Sequence, residues 1–347
     1  MIVFRADGNQ KIGTGHIMRC LSIAEELAKN GIECLFVVSG KEMCETIVSR
    51  GFSCLVLDQE PWSDLELKAL TESLDEFNPS WVVFDSYLVS ENYLQKISEK
   101  YDTAYLDDLA KFPYPVNLLI NYNVYANDEM YRLLYKTDPS KIPDLLTGLS
   151  YVPLRESFQR VPVRPQRKTC KDILISTGGA DPIHLAYRFI TYLIENNKQD
   201  GFNYHILVGA MNPDKSKILA LVDGHPNIQI HCNVKDMKGL ILGLDMAVCA
   251  AGSTLYEIAA CGLPAVTYIL ADNQIEGAET FAKMNLMECC GDLRDCPDAP
   301  DLLYHKIITL SKDFDKRCEM SERLHSLVDG YGAKRIADVL CDSKHCS

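Results

Sequence analysis

Short apolar runs of strand length recur along the chain, and most are separated by stretches in which apolar residues return every three or four positions. In the first half, residues 1–5, 35–38, 54–57, 81–85, 104–106 and 118–120 read as strands. After the first run comes the glycine-rich turn 7–15. Beyond it Ile17, Leu21, Ala24 and Ala28 lie at helical spacing with Cys20 and Leu27 beside them. This predicts a helix with Thr14 as N-cap and Gly31 just past its end. Strand alternating with helix implies a parallel sheet covered on both faces.

The pattern breaks at residues 151–167, where Pro153, Pro162 and Pro165 stand among four arginines. Proline-rich extended segments make semi-rigid connections, so 151–168 reads as a linker. The second half opens as the first did. Residues 172–176 predict a strand, Thr177-Gly178-Gly179 a turn and 183–195 a helix. Further strands are expected at 205–208, 228–231, 246–250 and 265–269, with helices near 214–221, 237–242, 254–261 and 276–284. The tail from Leu302 reads as helical, with 331–341 a separate last helix. The expected fold is α/β: two doubly wound Rossmann-like domains facing across a cleft, 1–150 and 169–347, the second carrying the helical tail. Ligands of such sheets bind beyond the carboxyl ends of the strands.

Composition narrows the function classes. Of 347 residues, 47% are hydrophobic and 24% charged, as in ordinary globular domains. No apolar run reaches the ~20 residues needed to cross a bilayer, and residues 1–5 do not resemble a signal peptide. A cytoplasmic protein is expected, without membrane insertion. A net charge of −13 argues against wrapping nucleic acid, while a small anionic ligand can still be held locally by backbone N–H groups. The 14 cysteines are scattered and lack a C-x-x-C pair. They read as buried thiols in a reducing compartment. Cys289-Cys290 with Cys296, or Cys341 with Cys346, are the weaker candidates for a metal or redox site.

Neither glycine turn is G-x-G-x-x-G, and the strand ending at Val38-Ser39-Gly40 carries no acidic residue for a ribose, which argues against a dinucleotide. There is no P-loop. His16 follows Gly13-Thr14-Gly15 at the first turn of a helix, where glycines let the backbone approach a ligand. It is the candidate general base. His184, after the second glycine turn, is its rival; a capping or core histidine is the plain alternative. Gly252-Ser253-Thr254 opens a helix after strand 246–250 and offers hydroxyls and N–H groups to an anion, and Glu257 could accept from ribose hydroxyls. The alternative there is a capping box of Thr254 and Glu257. Gly178-Gly179-Ala180-Asp181 could wrap a diphosphate or form a plain strand-to-helix turn. Asp272-Asn273-Gln274 is a polar cluster at the carboxyl end of a strand, suited to a sugar, with an ordinary Asx turn as the alternative; Phe84-Asp85-Ser86-Tyr87 is the corresponding strand end in the first half.

These motifs together resemble UDP-sugar hydrolases of the pseudaminic acid pathway (PseG type), relatives of the peptidoglycan glycosyltransferase MurG with the two-domain GT-B architecture. The resemblance rests on Phe4-Arg5-Ala6-Asp7 with Gly13-Thr14-Gly15-His16-Ile17-Met18-Arg19, on Asp85-Ser86-Tyr87, and on Gly148 to Arg155 with Phe158. It continues through Ser176 to Asp181, Asn233-Val234-Lys235-Asp236-Met237, Ala251 to Glu257, Gly262-Leu263-Pro264 and Asp272-Asn273-Gln274. It implies hydrolysis of UDP-2,4-diacetamido-2,4,6-trideoxy-β-L-altrose to the free sugar and UDP, inverting, without metal or other cofactor. By position it implies His16 as the base, Tyr87 and Asn273 at the active site, and Glu257 on the ribose. Gly13, Thr14, Gly15, Arg19, Gly178, Gly179, Val234, Met237, Gly252, Ser253, Thr254 and Gln274 are implied in holding substrate or UDP. A monomer with a small-molecule substrate is expected. The competing readings are a UDP-dependent glycosyltransferase of the MurG type and a nucleotide-sugar sensor without turnover.

Overall fold

The computed structural model describes residues 1–9, 12–198, 201–209 and 211–342. Two compact units emerge, Met1–Glu156 together with the last helix, and Ser157–Gly330.

The first unit is built on a parallel sheet of β1 (Ile2–Ala6), β2 (Cys34–Val38), β3 (Ser53–Val56), β4 (Trp81–Asp85), β5 (Thr103–Leu106), β6 (Leu118–Asn121) and β7 (Asp144–Thr147). Its order is β3-β2-β1-β4-β5-β6-β7. β1 and β4 are buried at every position, as central strands covered on both faces must be. Between the strands run α1 (Gly15–Lys29), α2 (Cys44–Ser49), α3 (Asp64–Phe77), α4 (Glu91–Ser98) and α5 (Asp128–Leu134). Ser63, Ser90 and Asn127 cap α3, α4 and α5 by accepting from backbone N–H groups. Thr14 stands at the N-cap of α1 but its side chain makes no capping bond. Gly31 has the positive φ of +75° that ends the helix.

The second unit repeats the plan with β8 (Asp172–Ser176), β9 (Asn203–Val208), β10 (Ile228–Cys232), β11 (Met246–Ala250), β12 (Ala265–Ile269) and β13 (Glu288–Asp292). The order is β10-β9-β8-β11-β12-β13. Its helices are α6 (Leu185–Glu195), α7 (Lys215–Leu221), α8 (Met237–Gly243), α9 (Thr254–Ala260), α10 (Ile275–Lys283), α11 (Ala299–Lys312) and α12 (Phe314–Leu327). α6 begins two residues later than its apolar pattern suggests. The Asp181 carboxylate accepts from Leu185 and Ala186 N–H at 2.8 and 2.9 Å and sets the start.

Two strands escape the sequence reading, β7 and β13. Both lie at sheet edges, where a short strand needs little apolar sequence. β13 carries Cys289 and Cys290. No disulfide is formed among the described cysteines, and no cluster of three or more metal-ligating side chains occurs among the described residues. Cys346 lies outside them.

The domain boundaries differ from expectation at the tail. α13 (Gly332–Cys341) belongs to the first unit, not the second, and packs on α1. Gly332 sits so close to the chain at Tyr151–Val152 that a Cβ would lie 2.2 Å from the Val152 carbonyl. Arg335 donates to the Ser150 carbonyl at 2.8 Å. The periodicity of Ala333, Ile336, Ala337 and Leu340 reveals an apolar face but not which core receives it. The expected linker is likewise divided: residues 151–156 pack with the first unit and 157–168 with the second.

Candidate active site

In both sheets the strand order reverses beside the first strand, between β1 and β4 and between β8 and β11. Beyond the carboxyl ends at such a point lies the crevice where doubly wound sheets bind ligands.

In the first unit this crevice is lined with chemistry. Gly13, at φ +77°, exchanges backbone hydrogen bonds with Asn9 and leads through Thr14 and Gly15 to His16 in the first turn of α1. His16 is buried, and its Nδ1 lies 2.5 Å from Oδ1 of Asp85, the last residue of β4. A carboxylate only accepts, so Nδ1 carries the hydrogen and Nε2 is the nitrogen left to take a proton. Arg19, one turn further along α1, faces the same carboxylate. Its Nε and Nη2 each donate to Asp85 at 2.6 Å. Its Nη1 donates to Asp108 at 2.9 and 3.0 Å and to the Tyr122 hydroxyl at 2.6 Å. Burial alone would raise the Asp85 carboxyl, but Arg19 and His16 outweigh it and hold it well below the usual carboxylate range. The same two aspartates hold the buried Arg19 guanidinium firmly charged against the cost of its own burial.

Tyr87 closes the arrangement. Its hydroxyl donates to Asp108 Oδ2 at 2.7 Å, and its ring meets that of His16 edge-on at 4.5 Å between centroids. Burial, then the Asp108 charge, push the phenol far above its ordinary value, so it remains a donor. Asn123 donates to Asp108 Oδ1 at 2.8 Å. His16 and Tyr87 are thus brought together, as their motifs suggest. Arg19, expected on the substrate, has its guanidinium committed to Asp85, Asp108 and Tyr122. Asp85, Asp108, Tyr122 and Asn123 had no assigned role in the sequence. The available signal was position: Asp85 ends the strand beside β1, and Arg19 follows His16 on one helix face.

In the second unit Gly178, at φ +80°, and Gly179 turn at the end of β8. Gly209 lies so close to Gly179 that a Cβ there would stand 2.3 Å from the Gly179 carbonyl oxygen. Across the crevice, Gly252 follows β11. Ser253, exposed, takes the N-cap position of α9, and Thr254 and Glu257 lie in its first turn. Ser253 displaces Thr254 from the expected capping position and makes no side-chain cap. Asn273, half-buried, lies in the short turn Asp272–Gln274 after β12. Gln274 accepts from Leu270 N–H at 2.8 Å and reaches the α-carbon side of Gly252. Val234 and the buried Met237 stand farther along the edge, beyond β10, where Asp236 caps α8. His184 is a second histidine bonded to an aspartate, Asp214, but is about half exposed.

No protein-family model matches the chain. It is similar to the spore coat polysaccharide biosynthesis protein SpsG of Bacillus subtilis, 23% identical over 347 residues that cover 97% of this chain and 96% of that protein. To the UDP-2,4-diacetamido-2,4,6-trideoxy-β-L-altropyranose hydrolase of Campylobacter jejuni it is 24% identical over 291 residues, 81% of this chain and 96% of that one. An uncharacterized protein of Methanocaldococcus jannaschii is 23% identical over 284 residues, 79% of this chain; the chain spans 56% of its length. Among solved structures, Acinetobacter baumannii MurG superposes with a TM-score of 0.64 at 14% identity, covering 98% of both chains. The resemblance read from the motifs holds at the level of named relatives, and the fold is that of GT-B glycosyltransferases.

Proposed function

We propose that the protein hydrolyses a UDP-linked 2,4-diacetamido-2,4,6-trideoxy sugar, of the L-altro series as for the Campylobacter relative, and releases UDP in pseudaminic acid biosynthesis. The observation that carries the reading is the His16–Asp85 pair at the switch point of the first sheet. Water adds to the anomeric carbon, His16 Nε2 takes its proton, and the bond from that carbon to the phosphate oxygen breaks with its electrons leaving on UDP. Asp85 fixes the imidazole and offsets the charge it gains. Attack opposite the leaving group inverts the centre. UDP leaves without protonation, so no second carboxyl acid is required, and no metal is invoked.

On this reading the second unit holds the nucleotide. Glu257 accepts from the ribose hydroxyls. Gly178, Gly179, Gly252, Ser253 and Thr254 lie along the diphosphate, Val234 and Met237 by the base, and Asn273 with Gln274 by the sugar. Tyr87 stands by the sugar from the first unit. The protein acts as a cytoplasmic monomer. The test is product analysis in ¹⁸O-water without acceptor: UDP release with label in the sugar supports hydrolysis by C–O cleavage, and label in UDP refutes it. The shared fold with MurG favours one alternative, transfer to an acceptor. Release of UDP only when an acceptor is supplied would establish it.

A further inference from the structure

A cavity of about 210 Å³ opens beside the candidate site, over the carboxyl ends of β1 and β2. Asp7, Gly8 and Asn9 line it from the β1 side, Val38, Ser39, Gly40, Glu42 and Met43 from the β2 side, and Gln59 and Pro61 from beyond β3. At ~30 Å³ per water, it has room for roughly seven waters' worth of liquid.

Two of its lining residues, Asp7 and Ser39, belong to a closed ionic network. Arg5 is fully buried, donates to Glu66 at 2.7 Å, to Asp7 at 2.8 Å and to the Ser39 hydroxyl at 2.6 Å, and lies 4.1 Å from the Trp62 ring centre. Asp7 accepts in turn from Ser39 N–H at 2.7 Å and from its hydroxyl at 3.1 Å. Both Asp7 oxygens are taken, so this network is rigid and leaves little to offer a ligand. The uncommitted polar groups stand at the mouth. Neither Glu42 nor Gln59 bonds to another described residue. An apolar wall of Val38 and Met43, both buried, also lines the cavity.

We propose that this cavity is the subsite for one acetamido substituent of the sugar; the inference rests on the hydrolase reading and names what its substrate pocket selects. An acetamido group needs an acceptor for its N–H, a donor for its carbonyl and an apolar surface for its methyl. Glu42, the Gln59 amide and the Val38–Met43 wall supply these three. The cavity also adjoins the base. Asn9 on its wall is bonded to Gly13 through both backbone groups, and Gly13 precedes His16 by three residues. The cavity lies over β1 and β2 and the His16–Asp85 pair over β1 and β4. The two share β1, so about one strand spacing, ~5 Å, separates their midlines, within the reach of a hexose ring with its substituent. Glu42 on the rim disfavours an anionic substituent in the same place.

The test compares a UDP-2,4-diacetamido-trideoxy sugar with counterparts in which one acetamido group is replaced by hydrogen. Glu42→Ala is expected to raise KM for the diacetamido donor about tenfold, the worth of a hydrogen bond to a charged group. KM for one deoxy counterpart and the Kd for UDP should stay unchanged, and Gln59→Ala should act in the same direction. Equal effects on all donors, or none, would overturn the subsite. Binding of the free diacetamido sugar, followed by ligand-observed NMR, separates this from failure of the hydrolase reading. Binding that Glu42→Ala weakens, in a protein that turns over no UDP-sugar, refutes the hydrolysis and keeps the subsite. Hydrolysis with free-sugar binding indifferent to Glu42→Ala refutes the subsite alone.

Discussion

His16 and Asp85, 69 residues apart in sequence, meet through Nδ1 and Oδ1 at 2.5 Å. A helix start and a strand end from opposite sides of the switch point thereby meet in one hydrogen-bonded pair, to which the proposed hydrolysis assigns the proton transfer. Replacing Asp85 with Asn removes the negative partner of the imidazolium that forms when water is deprotonated. We expect kcat to fall by ~10²–10⁴ with KM nearly unchanged, the scale of general-base catalysis. His16→Asn should lose turnover to a similar extent and keep its affinity for UDP. Steady-state kinetics and UDP titration on each variant check both; a normal kcat in either removes the pair from the mechanism.

Arg19→Lys distinguishes holding the site from holding the substrate. Lysine cannot span Asp85 and Asp108 with one planar fork. Breaking a buried pair of this kind costs about 3–5 kcal/mol when a charge is left uncompensated, and Lys retains part of that. A lowered melting temperature and kcat with unchanged UDP affinity are expected. Weakened UDP binding in a protein of normal stability would return Arg19 to the ligand.

The depressed Asp85 carboxyl sets a pH dependence. Its folded-state value lies below its unfolded value. The stability it contributes is therefore complete above the usual carboxylate value of ~3.9 and is lost as pH falls from there toward the folded value. The melting temperature should fall below about pH 4, and less steeply in Asp85→Asn. Equal slopes in the two proteins would contradict the assignment.

Glu257→Gln is expected to raise KM by about ten- to a hundredfold with little change in kcat. On the proposed binding mode a ribose hydroxyl bonds the carboxylate equally in ground and transition states, and such a charged bond is worth roughly 1.5–3 kcal/mol. A collapsed kcat at constant KM would place Glu257 in the chemistry.

Central strands were legible to the residue where buried on both faces: Trp81–Asp85, Asp172–Ser176, Met246–Ala250 and Ala265–Ile269 are predominantly apolar runs between turn signals. The edge strands Asp144–Thr147 and Glu288–Asp292 were not, since half their surface is open and their sequence is mixed. His16 announced itself locally, through the glycines before a helix. Its partner Asp85 could not, because their contact is created by strand order, which periodicity does not encode. The same applies to the Arg19 fork: a helix-face arginine reads as a ligand group until the two aspartates facing it are known.

Because α13 completes a unit whose other elements end at Glu156, the first unit is interrupted in sequence by the whole second one. During synthesis at ~5–20 residues per second, some 170 residues, or roughly ten to thirty seconds, separate the emergence of α1's neighbours from that of the helix that covers it. The buried face of α1, which ends at Lys29, must wait longer still for its partner, whereas Ser157–Gly330 is contiguous in sequence and has no later segment to wait for. The half carrying His16 is therefore the last to mature, and a prematurely ended chain would retain the whole second unit and a first unit whose α1 is uncovered.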